Sequence, residues 1–258
     1  MNETPQPMMF QADIPDAVLA LLPHDRSSRI LDAGAGQGYF SRKLKDLGYV
    51  VEACDILQDN FKCPDITFFK SDLSERIECE SDRYDCVVSL EVIEHLENHF
   101  RFMSEIFRVT KPNGLVIITT PNILSIPSRL YFLLYGFNEC GRKPLDPTRS
   151  EYFMQHINPI SLPKLLFHIE RCGGTLEKLR TNRIRKSAWL PMLLLYPLMA
   201  VAIRRKLLRK RHSAQRALYR RHIHWLLTPA SLMGRITIAA ARKQVPAHTP
   251  VSHLQVKS

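Results

Sequence analysis

Glycines stand at every second position from 34 to 38 in RILDAGAGQGYFSRKLKDL (29–47), between an apolar run and a helical one. Few architectures tolerate such a junction. A buried strand must end where glycine relaxes the backbone, and a helix must begin at once, offering free N–H groups to whatever the loop encloses. Further apolar runs follow at matching intervals: GYVVEACDI, ITFFKSDL, YDCVVSL and LVIITTPN read as strands two to five. Helical spacing fills Tyr39–Leu47 and the stretch from about Val92 to Val109, KPNG is a turn, and a short amphipathic helix at Ile14–Leu22 comes first. Alternation of this kind builds a parallel sheet covered by helices on both faces. The 258 residues, 45% apolar, suffice for one such domain with some decoration.

Past Pro121 the rhythm changes. ILSIPSRLYFLLYGF is apolar and NECGRKPLDPTRSEYFMQHINP reads as loop. SLPKLLFHIERCGG reads as a helix stopped by glycine, and TLEKLRTNRI as a sixth strand. GRITIAAARK reads as one more strand, which makes roughly 184–230 an insertion within the sheet rather than a tail.

Charge divides the chain in two. Residues 1–177 hold 18 Lys and Arg against 25 Asp and Glu, a net of −7. Residues 178–258 hold 18 Lys and Arg and no carboxylate, so the overall +11 hides a complete split. An anionic partner follows for the later part: a membrane surface, nucleic acid or an acidic protein. The six cysteines form no CxxC pair, which indicates neither a zinc ribbon nor a disulfide framework. MNETPQPMMFQADIPD carries acidic residues and no long apolar core, unlike a secretory signal, so a reducing cytoplasm is expected.

What the glycine loop holds is decided by its neighbours. A dinucleotide loop wants G-x-G-x-x-G, whereas here Gly34-x-Gly36-x-Gly38 follows Asp32. A carboxylate in that position repels a pyrophosphate and suits an ammonium or sulfonium group. GKS and GKT are absent, which excludes a P-loop. The run LDAGAGQGYF resembles the first motif of class I S-adenosylmethionine-dependent methyltransferases. EACDI, FKSDL, YDCVVSLEVIEHL and VTKPNGLVIITTPN resemble that family's later motifs, in the same order. The pattern is similar to the ubiquinone-biosynthesis type of O-methyltransferase and covers about residues 10–183 plus the last strand.

The resemblance implies an α/β, Rossmann-like fold: a seven-stranded, mostly parallel sheet with helices on both faces. Apolar and basic helical insertions follow strand five and separate strands six and seven. Joined to the reading above, it gives a methyltransferase domain at 10–183 plus 232–243 and an acceptor-pocket insertion at 121–157. An apolar, basic, membrane-associating insertion occupies 184–231 and a flexible tail 244–258. Residue by residue, it implies S-adenosyl-L-methionine with its methionine part at Asp32, Gly34 and Gly36, its ribose hydroxyls on Asp55, and its adenine at Asp72 and Leu73. Leu90 would meet the cofactor through its backbone carbonyl. A carboxylate suits a diol because it only accepts hydrogen bonds; loop solvation or turn capping would also place aspartates at 55 and 72.

The family reaction is in-line displacement of the sulfonium methyl, which a dry, well-oriented pocket assists. An oxygen acceptor also needs a base. EVIEH puts Glu91, Glu94 and His95 at i, i+3 and i+4, one face if the helix begins there. In the quinone subgroup the matching triplet goes with a divalent cation such as Mg2+, which would lower the acceptor's pKa. Carboxylates at a helix start also stabilise its dipole, so the triplet alone does not decide. His95 and, after the fifth strand, His156 are the candidate bases. His99 and His168 fall within helices and read as surface or core packing.

Trp189–Ile203 is fifteen residues without a charge, flanked on both sides by Arg and Lys. As a helix it measures ~22 Å, against a bilayer core of ~30 Å. It contains Pro191 and Pro197, and its two positive flanks lack the asymmetry of a spanning helix. An in-plane or re-entrant segment with basic flanks on anionic headgroups fits better, and ILSIPSRLYFLLYGF would add a second contact or cover the pocket. The expected function is O-methylation of a hydrophobic or lipid-linked acceptor by a cytoplasmic protein peripheral to the inner face of the membrane. Nucleic acid is the weaker partner, because an aliphatic block interrupts the charges. A nucleic-acid methyltransferase and a non-catalytic protein on the cofactor fold are the alternatives. Packing on the protein's own core, or a dimer interface, would also account for the apolar stretches.

Overall fold

The computed structural model describes residues 13–138, 145–149, 154–209 and 213–245. The first half alternates as expected: α1 (Asp13–Leu19), β1 (Arg29–Ala33), α2 (Tyr39–Asp46), β2 (Val50–Asp55), β3 (Thr67–Lys70), β4 (Tyr84–Leu90), α3 (His99–Val109) and β5 (Thr110–Pro121). Then come α4 (Ile126–Tyr135), α5 (Leu162–Arg171), β6 (Gly174–Arg180), α6 (Trp189–Leu208), α7 (Ser213–Leu226), α8 (Pro229–Met233) and β7 (Ile236–Lys243). One seven-stranded sheet runs β3-β2-β1-β4-β5-β7-β6. β1 to β5 pair in parallel, and β7 runs against both of its neighbours.

Side chains alternate across a strand, so each central strand feeds two cores. Leu31, Val87, Val116 and Ile118 meet Phe102 and Ile106 of α3 and Leu165 and Ile169 of α5 on one face. Ile30, Cys86, Val88 and Ile117 meet Val18 of α1 and Leu44 of α2 on the other. Burial on both faces is why these strands read as unbroken apolar runs. A third, smaller cluster joins α4, α6, α7 and α8 through Ile126, Ala200, Ile223 and Leu232. From β1 the chain walks outward to β3 and returns to β4 on β1's other side, which opens a crevice beyond the strand ends.

Two expectations need correction. The helix read from Val92 begins only at His99; Ile93–His95 is a separate 3-10 turn. Asn98 caps α3, its side chain accepting the Arg101 N–H, and Glu91 stands in the left-handed region at φ 55°. Glu91, Glu94 and His95 therefore do not share a helical face. Most of the expected tail, Cys140, Lys210, Arg211 and much of the loop after α4 lie outside the described residues. Within them, no helix is long and apolar enough to cross a membrane, and the cysteines are free thiols.

Candidate active site

A cavity of about 710 Å³ lies beyond the carboxyl ends of β1, β2, β4 and β5. The glycine loop forms part of its wall. Gly34 has φ 85°, and a Cβ there would lie 2.4 Å from Val92 Cγ2, so both backbone and space demand glycine. Gly36 has φ 53°, but a Cβ would meet nothing within 4 Å. Its N–H donates to Asp55 Oδ2 at 2.9 Å, which ties the loop to the tip of β2.

Three expected carboxylates line the cavity. Asp32 is 2% exposed and accepts the Ser41 hydroxyl at 2.6 Å. Burial pushes its carboxyl up to about 6, the Ser41 bond pulling the other way. Asp55 also accepts the Leu57 N–H on Oδ1 at 3.0 Å, and each oxygen keeps further lone-pair capacity. Asp72 accepts the Ser74 N–H at 2.8 Å, so it caps a turn as well as lining the cavity. Leu73 and Leu90 are buried side chains of the same wall.

Across the cavity, β4 runs into the acidic turn. Glu91 N–H donates to Thr119 Oγ1 at 2.9 Å, and that hydroxyl donates back to Glu91 Oε1 at 3.0 Å. Burial raises the Glu91 carboxyl to about 7, opposed by Thr119 and by the charge of Arg235. Glu94 is fully buried; Oε2 accepts the Thr120 hydroxyl at 3.0 Å, and Oε1 has no hydrogen-bond partner. Burial, reinforced by Glu91, raises its pKa well above the usual carboxylate range. His95 Nδ1 lies 3.0 Å from the Gln155 carbonyl, and the His95 and His156 rings meet edge to face at 4.8 Å.

Asn158 holds this arrangement together. Its N–H donates to the Glu94 carbonyl at 2.9 Å, and its side-chain amide to Leu96 O and Glu97 O, both at 3.1 Å. His99, itself buried, adds a contact from Nε2 to Ile93 O at 2.9 Å. Burial depresses His99 to about 4, so the neutral ring serves as donor.

A sequence model of the family described as "Methyltransferase domain" matches residues 9–232. The chain belongs to that methyltransferase family. Its motifs and fold are those of the class I, S-adenosylmethionine-dependent type. It is 40% identical over 101 residues to the ubiquinone biosynthesis O-methyltransferase of Rickettsia typhi, covering 36% of this chain and 41% of that protein. The Rickettsia akari protein of the same name is 36% identical over 109 residues, 38% of this chain and 42% of the relative. The chain thus spans about two-fifths of the length of these curated relatives. A solved S-adenosylmethionine-dependent methyltransferase from Mesorhizobium loti matches with TM-score 0.57 and 15% identity, over 90% of this chain and 98% of that one. Phosphoethanolamine N-methyltransferase 2 of Haemonchus contortus, solved with S-adenosyl-L-methionine, matches at 0.51 and 18%, over 90% and 52%. At those identities the likeness is one of fold.

Within this methyltransferase, the expected cofactor residues Asp32, Gly34, Gly36, Asp55, Asp72, Leu73 and Leu90 all border one cavity, and so do His95 and His156. The expected metal triplet is not brought together as read. Glu91 turns to Thr119, whereas His156 joins Glu94 and His95, with one ligand atom from each within 4.8 Å of the others. Sequence reasoning missed Asn158, Thr119, Thr120 and Ser41. The threonines stand at the carboxyl end of a parallel strand, a position that favours site residues. Asn158 left no local sign, because the groups it bridges are about sixty positions away.

Proposed function

We propose that this methyltransferase carries a methyl group from S-adenosyl-L-methionine to a hydroxyl of a hydrophobic or lipid-linked acceptor, at the cytoplasmic face of a membrane. One observation carries the reading: a single cavity is bordered both by the Asp32, Asp55 and Asp72 carboxylates and by the His95–His156 pair. The residues present fit the cofactor. A loop with positive φ at three glycines lets backbone approach closely, and buried Asp32 offers charge to an ammonium. Asp55 would take the ribose hydroxyls and Asp72 the adenine amino group, with the Leu90 carbonyl adding a contact.

Bound there, the cofactor supplies an electrophilic methyl group. As the new O–CH3 bond forms and the S–CH3 bond breaks, the hydroxyl proton needs an acceptor. The Gln155 carbonyl can only accept, so Nδ1 of neutral His95 holds the hydrogen and Nε2 is its basic nitrogen. His95 takes the proton in this reading, and His156 is the second base. A divalent cation would be held by Glu94, His95 and His156, and would then stand in place of the His95 base, because it needs the same Nε2. The orphaned, buried Glu94 Oε1 fits such a ligand, and two imidazoles with one carboxylate suit zinc- or iron-class ions better than Mg2+.

The test incubates purified protein with methyl-labelled S-adenosyl-L-methionine and a membrane lipid extract, and identifies the labelled product by mass. A labelled lipid-soluble ether is expected. Calorimetry that shows no uptake of the cofactor would sink the reading at its first step.

A further inference from the structure

α6 has apolar residues on two opposite sides. One side packs inward, with Ala200 buried and Leu195, Met199 and Ile203 partly buried against the third cluster. The other carries Leu190, Leu193, Leu194 and Leu198, exposed by 67, 74, 68 and 68%. Positions 190, 194 and 198 are successive i+4 neighbours, with 193 beside them, so they form one stripe. A surface helix normally turns charge to water on that side. α4 is adjacent, since Arg129 reaches Met199 Sδ at 3.4 Å, and it exposes Leu133 and Leu134 by 78 and 74%. Apolar surface of this extent marks an interaction site.

Charge selects the occupant. Arg204, Arg205, Lys206 and Arg209 stand exposed at the end of α6, and Arg183 and Lys186 before its start. No carboxylate follows Glu177 anywhere in the chain. We propose that the α4–α6 face docks on an anionic phospholipid bilayer, α6 lying in the plane with its leucines among acyl chains and its arginines on headgroup phosphates. A second copy would bring one basic collar against another, which opposes pairing. An RNA backbone would satisfy the arginines and leave the leucines in water.

Pro197 sets the depth. It lacks an N–H, so the Leu193 carbonyl loses its helical donor. At the interface water satisfies that carbonyl; at the centre of a bilayer nothing would. Ser128 of α4 and Arg185, just ahead of α6, both line the cavity, so the docking face adjoins its wall. The purpose of this placement rests on the lipid-borne acceptor proposed above: the acceptor would pass from the lipid layer into the cavity.

The experiment floats the protein, without cofactor, on vesicles of phosphatidylglycerol and phosphatidylcholine in equal parts, and on phosphatidylcholine alone. Wild type is expected to float with the mixed vesicles and remain largely at the bottom with neutral ones. Leu190→Gln/Leu194→Gln/Leu198→Gln is expected to lose at least about tenfold of the bound fraction at any salt. Arg204→Glu/Arg205→Glu should lose the anionic preference alone. Circular dichroism and cofactor calorimetry, expected unchanged, confirm that both variants fold. Wild type that never floats, or a leucine variant that floats equally well, overturns the docking. So does sedimentation showing a lipid-free dimer that the leucine variant abolishes, or steeply salt-sensitive binding to poly(U) without flotation. Cofactor uptake is measured separately, so loss of docking leaves the methyltransferase reading standing, and the reverse.

Discussion

Burial raises the Asp32 carboxyl to about 6, and near neutrality it is mostly ionised at the wall of the cavity proposed to hold the cationic cofactor. The sign of the pH dependence follows. A cationic ligand favours the carboxylate, so protonation weakens binding, and cofactor Kd is expected to rise about fivefold from pH 6 to pH 5 and to be nearly flat above pH 7. Calorimetry between pH 5 and 8 checks this, and Asp32→Asn should bind more weakly with a flat profile. Asn158 makes a different kind of contribution, acting through its neighbours. Asn158→Ala leaves the Leu96 and Glu97 carbonyls without their donor, a loss of about 1–3 kcal/mol. Because Asn158 touches the turn that carries His95, single-turnover methyl transfer should fall about tenfold while cofactor affinity holds. Equal losses in both measurements would mean that the site had simply come apart.

The helices show where local pattern informs and where it misleads. α6 tolerates Pro191 in its first turn, where an N–H has no helical partner, but Pro197 lies inside the helix and is exposed. Pro197→Ala should stabilise the helix by about 1–3 kcal/mol, with Pro191→Ala close to neutral. Thermal unfolding of the two variants reads the contrast directly. The strands were legible because Ile30–Ala33, Val87–Leu90 and Leu115–Pro121 are buried on both faces and end in glycine, acid or proline. The true start of α3 was legible too, since Asn98 is a preferred cap, yet the acidic pair upstream pointed to an earlier start. His156 beside His95 was out of reach, because the contact is made by tertiary packing across about sixty residues. Asp32 could be found because it stands just ahead of the glycine loop at the end of its strand, whereas Asp55 was reached through the resemblance of EACDI to the family's second motif.

At the level of the whole molecule, the acidic and basic parts of the sequence meet inside one sheet. β7, from the basic part, fills the gap between β5 and β6, pairing Leu115–Pro121 on one side and Gly174–Arg180 on the other. A chain ending at residue 231 would leave two long strand edges unpaired. Such a truncation is expected to lose its cooperative thermal transition by circular dichroism, although every expected cofactor residue is still present. That distinguishes an integral strand from an appended tail. Chain order also has a consequence during synthesis. The leucine-bearing helix leaves the ribosome tunnel before Ile236–Lys243 does, while the cavity still lacks Arg235 and Ile236 from its wall. If that helix docks as proposed, a nascent chain would meet the lipid while its cavity wall is still incomplete, and anchoring would come before competence.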